Sequence, residues 1–216
     1  MLTDFHTHIF PDKMADKTIK LLESNIKEEY RPHKAELRGT LDALRQSMRE
    51  NNVDISLVLP IATNVKQSTT INNFAASING IDGIYSLGSL HPMQSDWESV
   101  LYDIKEKGLK GIKLHPEYQQ FYIDSKESIQ ILKKCEELDL ITVLHSGKDI
   151  GIDPPVHCTP ERLSHVLDYV KATKSLPHIW AAGSYGTMSK NTLSAHRYIS
   201  TQPLRLTLSQ MNSFYA

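Results

Sequence analysis

Short apolar runs rich in β-branched residues alternate along the chain with longer stretches in which apolar residues recur every three or four positions. A near-continuous apolar run suits a strand buried on both faces of a parallel sheet, and the recurring pattern is typical of a helix packed on one face. The pattern predicts six strands, at about residues 1–8, 54–60, 83–90, 109–114, 140–144 and 178–182.

Helices are predicted between these runs. Thr40 is placed to cap a helix in which Leu41, Leu44 and Met48 share one face, and Thr159 begins a Thr-Pro-Glu sequence typical of a helix start. The other predicted helices lie at about residues 14–27, 69–79, 97–107 and 125–138. Residues 27–39 are polar and lack periodicity, so we expect a loop there.

The alternation of strand and helix predicts a parallel sheet with helical crossovers. Histidine follows four of the strands, at His8, His91, His115 and His145. In a barrel the carboxyl ends of all strands gather at one face, whereas a doubly wound sheet gathers them only at its switch point. We therefore favour an α/β fold of the TIM (β/α)8-barrel type, incomplete, with about six βα units.

Composition narrows the functional classes. A net charge of −1 without basic or acidic blocks argues against electrostatic binding to nucleic acid or to an anionic membrane. No run approaches the roughly 18 apolar residues of a membrane span. The two cysteines, Cys135 and Cys158, do not make a disulfide framework, and no secretory signal is visible. We expect a cytoplasmic protein.

The first strand carries the main chemical signal. His6 and His8 are two positions apart, so in a strand both imidazoles project from the same face. Two imidazoles on a rigid element are a good start for a divalent metal site. The alternative is a pair of surface histidines at a frayed terminus. His145, at a later strand end and followed by small residues, is a natural third ligand.

The remaining candidates allow more than one interpretation. His115 either joins the chemistry or hydrogen-bonds and shapes the pocket. His91 precedes a proline and is interpreted as structural. His157 precedes a helix and either contacts substrate or packs a loop. Asp4 more often supports a histidine than binds a metal.

Four stretches together resemble a known family, the amidohydrolase-related (amidohydrolase 2) metal-dependent hydrolases of TIM-barrel fold. This group includes the aminocarboxymuconate-semialdehyde decarboxylase type. PHP phosphoesterases and TatD-like nucleases also open with Asp-x-His-x-His, but the later motifs fit them less well. The resemblance covers about residues 1–182 and is carried by Asp4–Pro11, Gly111–Pro116, Val143–Gly147 and Pro154–Glu161.

The resemblance implies that His6, His8 and His145 hold a divalent metal, with zinc expected and manganese or iron as alternatives. It implies an enzyme that hydrolyses a small carbonyl or carboxylate substrate through metal-activated water. From their positions at strand ends, we predict His115 and His145 as catalytic residues. A non-oxidative decarboxylase and an inactive remnant are the alternatives. The partner is a small molecule, with no nucleic acid and no membrane.

The C-terminal part departs from the family. Gly183 stands where a strand-six histidine is expected, and no aspartate follows Asp168 to serve as the strand-eight ligand. We therefore expect residues 1–182 to form a partial barrel and residues 183–216 an aberrant, poorly ordered tail, which puts the activity of this chain in question. We interpret the tail as a frameshifted translation. Open strand edges in a partial barrel favour self-association into a homo-oligomer.

Overall fold

A computed structural model describes residues 1–26, 34–149 and 151–170, together with the backbone of 179–182. Within these ranges the strands are β1 (Thr3–Thr7), β2 (Ile55–Val58), β3 (Ile84–Ser86), β4 (Gly111–Leu114), β5 (Ile141–His145) and β6 (Ile179–Ala182). The helices are α1 (Asp12–Asn25), α2 (Leu41–Glu50), α3 (Ser68–Ile78), α4 (Trp97–Glu106), α5 (Pro116–Gln119), α6 (Lys126–Glu137) and α7 (Pro160–Leu167). No helix in these ranges is long and apolar enough to cross a membrane.

The strands pair in parallel and in chain order, as β1-β2-β3 and β4-β5-β6. Among the described residues, one isolated bridge joins the two groups: Gly88 N–H donates to the carbonyl of Gly111, and Lys113 N–H donates to the carbonyl of Gly88, each at 2.8 Å. The predicted parallel α/β fold is confirmed. The described residues do not show a closed barrel, and the predicted tail from residue 183 lies outside them.

Gly111 shows how closely the strands approach. A Cβ atom at this position would lie 2.1 Å from the carbonyl oxygen of Ile141 on β5. A larger side chain would therefore push β4 and β5 apart, which explains the glycine at the first residue of β4.

The main core lies between the second group of strands and the helices that cover it. Fully buried apolar side chains from β4 meet those of α4 and α6, because both helices carry apolar residues at helical spacing. The largest of these side chains are Leu101, Ile104, Ile112, Leu114 and Ile131.

Two predicted helix starts are confirmed by their caps. Thr40 Oγ1 accepts a hydrogen bond from the N–H of Ala43 at 3.2 Å, and Thr159 Oγ1 accepts one from Arg162 N–H at 3.3 Å. Each bond satisfies a backbone donor that has no partner inside the helix. The third strand is shorter than predicted, because its regular pairing with β2 ends at Ser86. Beyond that residue the described chain forms only the isolated bridge at Gly88.

The short helix α5 was not predicted, and it brings Gln119 under the strand ends. The Gln119 side chain donates to the carbonyls of Ala62 and Leu90 at 2.8 Å each and accepts from the N–H of His115 at 2.8 Å. Gln119 is 1% exposed. One buried amide thus joins the chain segments that follow β2, β3 and β4.

We predict that Gln119→Leu lowers the free energy of unfolding by about 3 kcal/mol, because it leaves buried backbone groups without partners, at about 1–3 kcal/mol each. Urea unfolding followed by circular dichroism measures the loss. Gln46→Leu, at an exposed position of α2, is the matched control and should change the free energy by less than about 0.5 kcal/mol. Equal effects of the two variants would contradict the role given to Gln119.

Candidate metal centre

His6 and His8 meet at the carboxyl end of β1. Their Nε2 atoms lie 3.1 Å apart, and the rings are tilted by 66°. The Nδ1 atom of His8 lies 2.8 Å from the carbonyl oxygen of Leu59, just beyond β2. A carbonyl can only accept, so Nδ1 of His8 carries the proton and its Nε2 is left with a lone pair when the ring is neutral.

The 3.1 Å separation of the Nε2 atoms is what a shared proton or a shared cation would produce. Two imidazole ligands about 2.1 Å from one ion lie about 3.0–3.4 Å apart, depending on the coordination angle. Both residues keep solvent-accessible surface, so a ligand can reach them, although the protein atoms around each imidazole remove enough water to lower its pKa. The structure brings the pair together as the spacing predicts, and the pair fits a metal ion.

His145 is the last residue of β5, and its Nε2 is a buried nitrogen without a hydrogen-bond partner in the described part of the chain. A buried polar atom without a partner points to a missing ligand or water. The charge of His145 contributes to the lowered pKa of His6, and the charge of His8 contributes to that of His145, so the three imidazoles form one cluster. His145 therefore fits the position of a third ligand.

His115 has a different character. Its Nδ1 accepts a hydrogen bond from the N–H of Tyr118 at 3.3 Å, so the neutral ring carries its proton on Nε2. That Nε2 lies 3.7 Å from Oδ2 of Asp149. The ring stacks on His145 with centroids 3.9 Å apart and planes within 9°. His115 thus offers a hydrogen-bond donor beside the ligand cluster.

His115, His145 and Asp149 each offer one potential ligand atom within 4.8 Å of the others, so they form a possible metal-binding group. The stacking limits how His115 can contribute. A metal lies in the plane of the imidazole that binds it, and the two parallel planes have no common point. Without a tilt of one ring, one ion cannot bind both in their planes. For the set His6, His8 and His145, the structure shows the 3.1 Å contact of the first two and the unpartnered Nε2 of the third among the described residues.

The surroundings keep these imidazoles neutral. Burial, followed by the nearby charge of Lys113, lowers the pKa of His6 to about 4, that of His8 to about 3 and that of His145 to about 4. Burial and the charge of His145 also lower the pKa of His115. Neutral imidazole is the form that binds metal, so at neutral pH the histidines of the cluster are in the protonation state that can bind a cation.

Lys113 was not singled out from the sequence. Lys113 lies on β4, and His115 follows the last residue of that strand with extended backbone. Two positions apart in extended chain, both side chains turn to one side, as His6 and His8 do. Lys113 is 0% exposed, and its Nζ has no hydrogen-bond partner among the described residues. Burial lowers the pKa of Lys113 to about 7.

The other sequence candidates have local partners. Asp4 Oδ1 accepts from the N–H of His6 at 3.0 Å, and His91 Nδ1 accepts from the N–H of Met93 at 3.2 Å, which agrees with supporting roles. His157 is buried against Glu117. The expected strand-six position, Gly183, lies outside the described residues.

We predict that bound zinc stays with the protein from pH 7.5 to pH 6 and is lost near pH 4. Protons compete with metal for imidazole, and the lowered pKa values of about 3 to 4 move that competition below the usual range near 6.5. Elemental analysis after dialysis at each pH measures the loss, and circular dichroism confirms that the chain remains folded.

The matched variants for this measurement are His8→Ala, which should lose the metal at every pH, and His165→Ala, which should keep it, because His165 is an exposed residue outside the cluster. Release of zinc already between pH 7 and pH 6 would show that the imidazoles titrate at ordinary values.

Comparison with known proteins places this geometry in context. No protein-family model and no curated protein sequence matches the chain. Solved structures do. The 5-carboxyvanillate decarboxylase of Novosphingobium aromaticivorans, solved with bound manganese, is 14% identical with a TM-score of 0.58, over 85% of this chain and 65% of that chain.

Two further structures give similar values. A 2,6-dihydroxybenzoate decarboxylase is 12% identical with a TM-score of 0.55, over 85% of this chain and 67% of that chain. An amidohydrolase II is 15% identical with a TM-score of 0.54, over 84% of this chain and 66% of that chain. The chain thus spans about two thirds of the length of these proteins. The family resemblance is confirmed at the level of the fold: the described strands and helices have the architecture of amidohydrolase-related proteins.

Proposed function

We propose that this chain is a metal-dependent hydrolase of the amidohydrolase type, acting on a small carbonyl or carboxylate substrate. The observation that carries the proposal is the cluster of His6, His8 and His145, in which two Nε2 atoms lie 3.1 Å apart and a third is buried without a partner in the described residues. The nitrogens of His6 and His8 can share one proton with each other, so it is the buried, unpartnered Nε2 of His145 that points to a ligand.

In this proposal His6, His8 and His145 hold a divalent ion, zinc by expectation and manganese or iron as alternatives. Such an ion lowers the pKa of water and polarises a carbonyl oxygen. The Leu59 carbonyl fixes the ring of His8 with Nε2 toward the site. His115, whose Nε2 carries a proton, donates to an oxygen of the substrate and keeps His145 in place by stacking.

Lys113 supports a substrate that carries a carboxylate. Its buried Nζ lacks an acceptor among the described residues, although it lies near the imidazole cluster and its charge lowers the pKa of each histidine there. A carboxylate brought by the substrate would supply both a hydrogen-bond acceptor and a counter-charge.

Decarboxylation is the second candidate, and the same lysine favours it, since a bound carboxylate is the group that such an enzyme removes. Two of the solved structures with this fold are decarboxylases. The third candidate is a chain that binds metal without catalysis, because Gly183 stands where the family's strand-six histidine is expected. A cytoplasmic location and a homo-oligomer remain part of the proposal.

The test begins with metal analysis of the purified chain. The zinc-loaded and manganese-loaded forms are then given a panel of small esters, lactones, amides, and aromatic and unsaturated carboxylates. We expect turnover that a chelator abolishes and added metal restores. His8→Ala should lower turnover at least 100-fold, and His165→Ala should leave it unchanged.

The product distinguishes the candidates. Acid released without carbon dioxide indicates the hydrolase, and carbon dioxide indicates the decarboxylase. Bound metal without turnover of any panel member favours the non-catalytic chain. If the protein binds neither zinc nor manganese, the ligand assignment and the proposed function are both wrong.

A further inference from the structure

A buried acid and a buried histidine form a close pair beside the imidazole cluster. Glu117 is 2% exposed and His157 is 8% exposed. Glu117 Oε1 accepts from the backbone N–H of His157 at 2.7 Å, and Oε2 lies 2.6 Å from Nδ1 of the same residue. The carboxylate therefore holds both the backbone and the ring of one residue.

The pair is attached to the segments that carry the cluster. Glu117 lies in α5, two residues after His115. The residue after His157 is Cys158, whose carbonyl accepts from Gly147 N–H at 3.0 Å and from Ser146 Oγ at 3.2 Å. These donors directly follow His145, so the pair is held against the ends of both β4 and β5.

The surroundings determine which nitrogen of His157 is available. Because Nδ1 faces a carboxylate, the neutral ring places its proton on Nδ1 and its lone pair on Nε2. No hydrogen bond joins Nε2 to any residue in the described ranges. The Tyr122 ring packs on the imidazole at 4.8 Å, and Arg162 lies 4.2 Å from the centre of the Tyr122 ring and bonds Asp124 at 2.6 Å.

We propose that His157 is the proton-transfer residue of the site and that Glu117 is its positioning residue; this inference rests on the proposed function. Nε2 takes a proton from water as the water oxygen bonds to the substrate carbonyl carbon. The imidazolium, stabilised by the Glu117 carboxylate, returns that proton to the leaving atom as its bond to the same carbon breaks. The ring ends neutral, ready for the next cycle.

The Glu117 carboxylate distinguishes a proton-transfer role for His157 from one that only holds the loop in place. To hold the loop in place, an acceptor for the backbone N–H of His157 would be enough. The hydrogen bonds to the Cys158 carbonyl already help to hold the same loop. A second oxygen on Nδ1 sets the ring orientation and its tautomer, and it stabilises the charge that forms when Nε2 takes a proton.

The test measures the reactivity of Nε2 in the metal-loaded full chain. Diethyl pyrocarbonate acylates unprotonated imidazole nitrogen, and mass spectrometry of peptides gives a rate for each histidine. We expect His157 to react faster than His165, although the His165 side chain is 50% exposed and that of His157 only 10%. Glu117→Gln should slow His157 at least fivefold and leave His165 unchanged, and Glu117→Asp should restore part of the rate.

Should Glu117→Gln fail to fold, nitrogen-15 NMR of the imidazoles in the unsubstituted protein replaces it, with a protonated Nδ1 and an unprotonated Nε2 expected for His157. With a substrate from the panel, His157→Asn should lower kcat about 10²- to 10⁴-fold. KM should stay within about twofold, and the metal content should be unchanged.

Failure of this inference and failure of the proposed function give different results. A chain that binds metal but has an unreactive His157, or a His157 rate unaffected by Glu117→Gln, overturns the inference alone. A His157→Asn variant with full kcat does the same. A chain without bound metal overturns the proposed function, whatever the reactivity of His157.

Discussion

The hydrogen bonds of one buried amide determine where the candidate site can form. Gln119 connects the segments that follow β2, β3 and β4, and it does so through backbone atoms that no strand pairing satisfies. One of these atoms belongs to His115, which stacks on His145. The spacing of these imidazoles therefore depends on a residue whose side chain is fully buried.

The site also reflects a balance between burial and charge. Four imidazoles and one lysine lie close together, and burial is the first cause of the lowered pKa at each of them. A protein interior disfavours like charges that lack counterions, so the histidines remain neutral at neutral pH. Neutral imidazoles around accessible space make a site that favours a cation, and Lys113 adds a donor for an anionic group beside it.

Much of this arrangement was predictable because it follows from local periodicity. Strand spacing places His6 with His8, and the parallel order of β4 and β5 brings His115 to His145. The helix caps at Thr40 and Thr159 have equally local causes. Signals for Lys113 and Asp149 were present as well, since one lies two positions before His115 and the other four positions after His145.

Other features could not be predicted from local pattern. Glu117 looks like an ordinary acid in a first helical turn, and only the fold places it against His157, forty positions later. Gln119 looks like a surface residue until α5 turns it under the strands. The tautomers of His8 and His115 depend on which backbone group each ring meets. The tail expected from residue 183, to which the frameshift hypothesis applies, lies outside the described ranges.

The narrow junction between the two groups of strands has a mechanical consequence. In the described sheet the backbone pairing between β1-β2-β3 and β4-β5-β6 is limited to the Gly88 bridge, and the Gln119 and Ser89 side chains bond across the same seam. Apolar side chains of β2 and β5 also pack together there. His6 and His8 stand on one side of this seam and His145 on the other. An ion bound by all three would link the two groups of strands. Part of its binding free energy would then stabilise these groups against separation. Affinity for the metal and resistance of the fold to opening would then have the same physical origin.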